Sequence, residues 1–102
     1  MYRRNRRPTT PGVVLHEHYL APRGLTIKDF AAACGVSRKH ISNIIHGRAA
    51  ITSETAVRFA TVLDTTPELW LNLQNAVDLY DAKQRLHAWK PAELHSAMAI
   101  AV

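Results

Sequence analysis

The 102-residue sequence lacks a second cysteine, a long apolar run and, in its first half, a normal share of acidic residues. Its one cysteine, Cys34, cannot form an intramolecular disulfide, which argues against a secreted, disulfide-stabilised fold. No apolar stretch follows the basic start, so we expect neither a signal peptide nor a membrane-spanning helix. The length suits one small domain, and we predict a soluble cytoplasmic protein.

The scarcity of acidic residues makes the charge distribution uneven. Residues 1–48 contain nine Lys or Arg against two acidic residues, a net charge of +7. Residues 49–102 contain four Lys or Arg against six acidic residues, a net charge of −2. This asymmetry is typical of a polyanion-binding face on a neutral or acidic scaffold. A basic tail that only aids solubility would give the same totals, so charge alone leaves both interpretations open.

Helical periodicity and capping signals predict an all-α fold of five helices, without strands or internal repeats. The first helix is expected over "PGVVLHEHYL", where it stops before "APRG". The second covers "TIKDFAAAC" and ends at Gly35, and the fifth and longest runs to about Leu86. The residues that are expected to cap the five helix starts are Thr10, Thr26, Ser37, Thr52 and Thr66.

Apolar residues at helical spacing predict the core. The first three helices are expected to bury Val14, Leu15, Tyr19, Ile27, Phe30, Ala31, Cys34, Ile41, Ile44 and Ile45. The fourth is expected to bury Ala56, Phe59, Ala60 and Leu63. On the fifth, one stripe of Leu69, Leu73, Ala76, Val77 and Tyr80 is enough to pack against the first and fourth helices.

The second and third helices are joined by the very short turn "CGVS". Ala31 is small enough to let the two helices cross closely, and Gly35 can adopt the left-handed conformation that the turn needs. Ile41 then returns to the shared core. This spacing predicts a helix-turn-helix, whose second helix enters a DNA major groove. The alternative is an ordinary helical hairpin with a solvated polar face.

The outward face of the third helix supports the DNA-binding interpretation. Arg and Lys bond guanine edges, Asn pairs with adenine, and Ser is adaptable. No acidic residue lies between Ser37 and Ala50 to repel phosphate, and the helix N-terminus favours anions. Arg48, just beyond the end of this helix, and Lys28, at the start of the second helix, are candidate contacts to the DNA backbone. The predicted DNA-binding residues are Lys28, Arg38, Lys39, Ser42, Asn43, His46 and Arg48.

The sequence has no pattern that indicates catalysis or metal binding. "HEHYL" departs from the zinc-protease motif H-E-x-x-H because Leu20 stands where the second histidine is needed. His16 and His18 are two residues apart, so they point in different directions on a helix. Cys34 is interpreted as a small core residue. We therefore predict no enzymatic activity, no cofactor and no metal site.

Trp70, Leu71 and Leu79 widen the apolar surface of the fifth helix beyond one core stripe. We predict that they form a dimer interface, the alternative being deep burial within one domain. A homodimer would present two recognition helices about one DNA turn apart, roughly 34–36 Å.

The stretch "GLTIKDFAAACGVSRKHISNIIHGR" resembles the helix-turn-helix of the Xre, or phage-repressor, class. With the flanks "PTTPGVVLHEHYL" and "ITSETAVRFATVLDTTPELWLNLQNAVDLYDA", residues 8–86 are similar to HigA antitoxins, also called VapI-like regulators. The resemblance implies a homodimeric repressor that binds a palindromic operator in its own operon. It also implies an antitoxin that neutralises HigB, a RelE-like mRNA-cleaving toxin. A stand-alone Xre-family regulator without a toxin is the alternative.

The same resemblance implies which residues approach the bases, namely Ser37, Arg38, Lys39, Ser42 and Asn43. One position departs from many relatives, which begin the second helix with a phosphate-contacting glutamine where this chain has Ile27. That contact is then absent or is supplied by Thr26 or Lys28. The expected organisation is a flexible basic arm (residues 1–10), a helix-turn-helix DNA-binding and dimerisation domain (11–86) and a C-terminal tail (87–102).

Overall fold

The computed structural model describes residues 6–93, which form five helices and no strand. Their bounds are residues 11–23 for α1, Ile27–Cys34 for α2, Arg38–Ile45 for α3, Ser53–Leu63 for α4 and Pro67–Arg85 for α5. The predicted all-α class with five helices is confirmed for this part of the chain. The predicted arm and tail extend into residues 1–5 and 94–102, which lie outside the described residues.

All five helices begin at the predicted N-cap residues. In each case a side-chain hydroxyl oxygen accepts a hydrogen bond from the backbone N–H three residues later, which would otherwise have no partner within the helix. The five bonds, from Thr10, Thr26, Ser37, Thr52 and Thr66, are 3.0–3.3 Å long. Helix starts were readable from the sequence because each depends on only four neighbouring residues.

Helix α1 is longer than predicted. It does not stop before "APRG", because a π-helical segment, Leu15–Leu20, leads into a last α-helical turn, Ala21–Arg23. The N–H of Ala21 bonds to the carbonyl oxygen of His16, five residues back. This wider turn brings Pro22 to the start of the last turn, where a missing N–H is tolerated. The predicted end of the first helix is therefore wrong.

The core joins residues from all five helices. Its centre is a chain of rings in which Phe30 meets Phe59 at a centroid distance of 5.1 Å, and Phe59 meets Trp70 at 5.4 Å. Tyr19 contacts the other side of Trp70 at 5.4 Å. The predicted burial of the four α4 residues is confirmed, as is that of Leu15, Phe30, Ala31, Cys34, Ile41 and Ile44. Val14, Tyr19, Ile27 and Ile45 are only partly buried.

Trp70 lies in the core of the fold and not on the dimer interface that was predicted for the fifth helix. Its side chain is 0% exposed, and its indole N–H donates a 2.9 Å hydrogen bond to the Thr65 hydroxyl oxygen. Trp70 is therefore a core residue and offers no surface to a dimer. Leu71 is partly buried against the core, whereas Leu79 is 51% exposed.

The inward face of α5 also differs from the predicted stripe. Trp70 and Val77 are the buried residues of this helix, whereas Ala76 is exposed. Gln74 lies between Trp70 and Val77 on the same face, and its side-chain oxygen accepts a 2.8 Å hydrogen bond from the backbone N–H of Ile51. Leu69 and Leu73 of the predicted stripe pack against the core and Val77 is buried, so the sequence indicated part of this face correctly but missed Trp70 and Gln74.

No helix within residues 6–93 combines the length and apolarity that crossing a membrane requires.

Candidate nucleic-acid interface

The turn between α2 and α3 has the geometry of a helix-turn-helix. Gly35 lies in the left-handed region with φ of 72°, as predicted. Its N–H bonds to the carbonyl oxygen of Ala32 at 3.2 Å, and the N–H of Val36 bonds to that of Ala31 at 3.1 Å. These bonds close α2 within two residues. The chain can then start α3 at Ser37, so the two helices pack against each other.

Helix α3 presents opposite faces to the core and to solvent. Ile41 and Ile44 are 0% and 2% exposed, so they fix the helix on the core. Arg38 and Lys39 are exposed on the other side. Ser42 and Asn43, which the sequence predicted to be exposed, are only partly so. The solvent face thus has long cationic side chains at its first turn and shorter polar ones along its centre.

A surface groove of about 720 Å³ lies between the first turns of α2 and α3. Four predicted DNA-binding residues line it together with Thr26 and Ile27: Lys28, Arg38, Lys39 and Ser42. No carboxylate lines this groove, and among the described residues none of its three cations forms an ion pair. Both helix N-termini add partial positive charge. The groove is therefore suited to a polyanion.

Ile27 stands at the first position of α2, where the resemblance would place a glutamine, and Thr26 precedes it as the N-cap. Ile27 is partly buried against the core, and the Thr26 hydroxyl oxygen accepts the N–H of Asp29 as a helix cap. Lys28 is exposed and lines the groove. Thr26 and Lys28 are the two residues that could replace the absent phosphate contact. The Thr26 hydroxyl oxygen is already used to cap α2, whereas the ammonium group of Lys28 forms no ion pair with any described residue.

Asn43 and Arg48 are joined at the end of α3. The Arg48 Nε donates a 3.2 Å hydrogen bond to the side-chain oxygen of Asn43, and the backbone carbonyl of Asn43 accepts the N–H groups of Arg48 and Ala49. Because a bidentate contact with adenine uses both the oxygen and the nitrogen of an Asn side chain, an adenine that bonds to Asn43 would share its oxygen with Arg48.

His46 and Ser37 also make local bonds. The His46 Nδ1 lies 2.8 Å from the backbone carbonyl oxygen of Ser42, to which it can donate. The Ser37 hydroxyl oxygen caps α3 by accepting the N–H of His40 at 3.0 Å. Both side chains are exposed, but neither lines the groove.

Arg48 faces a second, smaller cavity of about 210 Å³, behind the recognition helix and lined also by Arg7, Gly12 and Asp81. The structure therefore separates Arg48 from the groove that holds Lys28 and Arg38. The Arg7 Nε and Nη2 each donate a 3.0 Å hydrogen bond to the carboxylate of Asp81. This bond raises the pKa of Arg7 and lowers the pKa of Asp81. Seventy-four positions separate the two residues, so sequence patterns had no means of pairing them.

Gly12 is a further structural residue that the sequence did not single out. A Cβ atom at this position would collide with the carbonyl oxygen of Ile44 and lie 2.7 Å from the Cα of Ile45. The start of α1 therefore lies directly against the backbone at the end of the recognition helix. Only a glycine allows this approach.

Cys34 has the environment of a core residue. It is 4% exposed, and burial raises the pKa of its thiol to about 11, although the positive charge of Arg58 partly opposes this shift. The thiol is therefore protonated, and hence a poor nucleophile, near neutral pH. Within residues 6–93, no group of three or more His, Cys, Asp or Glu side chains could hold a metal ion.

Comparisons with known proteins agree with this geometry. Residues 18–70 match the helix-turn-helix family. An HTH-type transcriptional regulator from Haemophilus influenzae is 49% identical over 76 residues, which cover 74% of this chain and 71% of that protein. Antitoxin HigA-1 from Vibrio cholerae is 44% identical over 85 residues, which cover 83% of this chain and 80% of that protein.

A solved structure of antitoxin GraA matches with a TM-score of 0.81 at 36% identity, over 87% of this chain and 99% of GraA. GraA in complex with its operator matches with a TM-score of 0.77 at 32% identity, over 93% and 100% of the two chains. Such relatives are regulators and antitoxins rather than enzymes. The chain belongs to the Xre-like helix-turn-helix family of DNA-binding transcriptional regulators and HigA antitoxins.

Proposed function

We propose that this protein is a homodimeric repressor that binds a palindromic operator in its own operon, and that it is also the antitoxin of a RelE-like HigB toxin. The groove lined by Lys28, Arg38 and Lys39 is the observation that carries the DNA-binding part. It brings together three cations from α2 and α3, and no carboxylate is among the residues that line it. GraA, which shares the fold, has been solved in complex with its operator, and this supports DNA binding by the present protein.

Within this proposal the groove residues divide into two roles. Arg38 and Lys39, at the first turn of α3, reach guanine edges in the major groove, and Ser42 contacts a neighbouring base. Lys28 binds a phosphate beside the N-terminus of α2.

The remaining candidates act outside the groove. Arg48 binds a phosphate beyond the end of α3, where Asn43 holds it. Ser37 and His46 contact the DNA backbone or base edges only while keeping their bonds within α3. Asn43 reads a base with its side-chain nitrogen and with the oxygen that also accepts the hydrogen bond from Arg48.

A homodimer is proposed on exposed apolar residues at the C-terminal end of α5, including Leu86, the residue that caps it. Leu79 and Leu86 are 51% and 52% exposed, and they lie seven residues apart, hence on one helix face. Trp89, just beyond the helix, is 62% exposed. Grouped apolar side chains of this size typically mark an interface. A second copy is the occupant that a palindromic operator requires, because each half-site needs one recognition helix.

The antitoxin part rests on the similarity to HigA-1 and GraA, both named as antitoxins. The alternative, a stand-alone Xre-family regulator, is supported by the 49% identical relative that is named only as a transcriptional regulator. Co-expression with the adjacent reading frame separates the two. An antitoxin restores growth and co-purifies with the neighbouring product, whereas a stand-alone regulator does neither.

DNA binding is tested by fluorescence anisotropy with the DNA upstream of the gene and a scrambled duplex of equal length and composition. We expect tighter binding to the upstream DNA at physiological salt by at least about 10³-fold, with two protomers per operator. Equal binding to both duplexes would refute sequence-specific repression. A stoichiometry of one protomer per operator would refute the dimer.

A further inference from the structure

Arg58 extends from α4 to the turn of the helix-turn-helix. Its Nη1 donates a 2.7 Å hydrogen bond to the backbone carbonyl oxygen of Cys34, the last residue of α2. The two residues are 24 positions apart, so this bond connects separate helices. Through it, α4 holds the point at which the chain leaves α2 and turns toward the recognition helix.

The Cys34 carbonyl depends on a donor from outside the turn. The N–H groups of Gly35 and Val36 bond to carbonyl oxygens one helical turn earlier, at Ala32 and Ala31. The helix ends at Cys34, so no later helical N–H can reach its carbonyl oxygen. A guanidinium there supplies a charge-assisted donor, and its positive charge also complements the negative end of the α2 dipole.

The guanidinium of Arg58 is itself held in place. Its Nε and Nη2 donate hydrogen bonds of 3.2 and 2.9 Å to one carboxylate oxygen of Glu54, one turn earlier on α4. On its other side it lies against the turn, since a Cβ atom built on Gly35 would be 3.0 Å from Nη1. Glu54, Arg58 and the turn therefore form a continuous polar brace.

Arg58 does not belong to the cationic groove of α2 and α3. It lines a different surface depression of about 220 Å³, together with Ala33, Cys34 and Val57. Its charge faces Glu54 and a backbone carbonyl, whereas Lys28, Arg38 and Lys39 form no ion pair with any described residue. Arg58 is thus a cation of α4 whose hydrogen bonds are made to Glu54 and to the turn of the helix-turn-helix.

We infer that Arg58 is a positioning residue for operator recognition, which rests on the proposed DNA-binding function. It fixes the α2–α3 turn, and thereby the angle at which α3 meets the major groove. Base readout is more sensitive to this angle than phosphate binding is, because hydrogen bonds to base edges require a defined geometry whereas nonspecific binding is mainly electrostatic. Loss of the brace should therefore reduce specificity more than nonspecific affinity.

The test compares Arg58→Met and Arg58→Lys with the wild-type protein on operator and scrambled DNA. Arg58→Met should weaken operator binding about tenfold, which corresponds to about 1.4 kcal/mol, and leave binding to scrambled DNA unchanged. Its log affinity should keep the wild-type dependence on log salt concentration. Arg58→Lys retains a charged donor and should recover part of the loss. Arg85→Met, which removes an exposed arginine of α5, is the matched control and should behave like the wild type.

Two outcomes would overturn the inference. If Arg58→Met weakens both duplexes equally and lowers the salt slope by about one, Arg58 is a direct phosphate contact. If the variant melts at a lower temperature but binds operator with wild-type affinity while folded, Arg58 only stabilises the fold. If the wild type itself does not distinguish the two duplexes, the proposed function fails. The positioning role of Arg58 is then tested by a measurement on the free protein.

That independent measurement is amide hydrogen exchange of the free protein. With the brace removed, the N–H groups of Gly35 and Val36 should exchange about tenfold faster than in the wild type, because the turn opens more often. The amides at the centre of α5, which do not contact the turn, should be unchanged. Unaltered exchange at Gly35 and Val36 would contradict the positioning role even in the absence of an operator.

Discussion

The two sides of α3, the proposed recognition helix, differ in how many contacts their side chains and backbone make with the rest of the protein. On the solvent side, Arg38 and Lys39 project into a groove without a carboxylate. On the other side, Ile44 is buried and its carbonyl oxygen lies against Gly12 of α1. The first side can change its residues without altering internal contacts, whereas the second cannot, because close packing transmits any change in volume.

The cations of the molecule divide in the same way. Arg7 bonds to Asp81 and Arg58 bonds to Glu54, so these two arginines tie segments of the fold together. Lys28, Arg38 and Lys39 form no ion pair with any described residue. A cation beside a carboxylate is largely neutralised, but a cluster without one attracts a polyanion. Whether a Lys or Arg side chain forms an ion pair with a carboxylate therefore indicates its role better than the position of that Lys or Arg in the sequence does.

The largest expected effect lies on the packed side. Gly12→Ala places a methyl group against the backbone of Ile44 and Ile45, which cannot move without shifting the recognition helix. We expect a loss of about 3 kcal/mol or more in the free energy of unfolding, measured by urea denaturation. Gly24→Ala is the control: its Cβ meets no atom within 4 Å, so only the left-handed backbone is penalised, by about 1 kcal/mol. Equal losses in the two variants would show that the contact at Gly12 is not tight.

The next effect lies on the solvent side and concerns binding alone. Arg38→Ala should weaken operator binding by about 1–3 kcal/mol and relax the preference at one base position. Its urea midpoint should match that of the wild type, because Arg38 is exposed and makes no ion pair with described residues. Anisotropy titrations against single-base operator variants measure this, with Arg85→Ala as the control. A uniform loss across all base variants would assign Arg38 to a phosphate instead.

Arg48 lies just after the end of α3, where it bonds to Asn43, and its substitution tests whether a cation outside the groove contributes affinity without base preference. Arg48→Ala should weaken binding to operator and scrambled DNA alike, and lower the slope of log affinity against log salt by about one, because a phosphate contact is lost. The Asn43 side chain then loses its hydrogen bond to Arg48. Base preference that changes along with affinity would mean that Arg48 instead controls the availability of Asn43 for adenine.

The smallest effect is expected at the exposed Arg7–Asp81 pair. The hydrogen bonds from Arg7 hold the pKa of Asp81 below its usual value of 3.8, so the pair adds stability above that value. This contribution disappears as the pH falls through the lowered pKa and Asp81 becomes protonated. Melting temperatures recorded from pH 6 down to pH 2 should therefore fall slightly less for Asp81→Asn than for the wild type. A steeper fall in the variant would contradict the sign of this linkage.

Local signals in the sequence were sufficient for the helix starts and the turn. The predicted N-caps and the left-handed Gly35 are confirmed, because each of these features depends on only a few neighbouring residues. The set of DNA-binding residues stays a prediction. What the structure adds is that Lys28 and Arg38 share one groove, while Arg48 lies in another cavity.

The inward positions of Gln74 and Trp70 on α5 cannot be predicted from local sequence patterns. Gln74 lies on the inward face of α5 because Ile51 needs an acceptor for its N–H. Trp70 was assigned to a dimer interface, because nothing in the sequence shows that Phe59 and Tyr19 enclose its ring. The proposed dimer interface instead uses the exposed Leu79, farther along the same helix.

The sequence by itself determined the class of the protein: five capped helices, a glycine turn and a recognition helix with a cationic outer face. These features follow from periodicity and from hydrogen bonds that span three or four residues. Only the tertiary structure decided how that helix is held, by Gly12 against its end, by Arg58 at its turn and by the burial of Ile44. Contacts between residues distant in the chain depend on packing in three dimensions, and no local pattern encodes them.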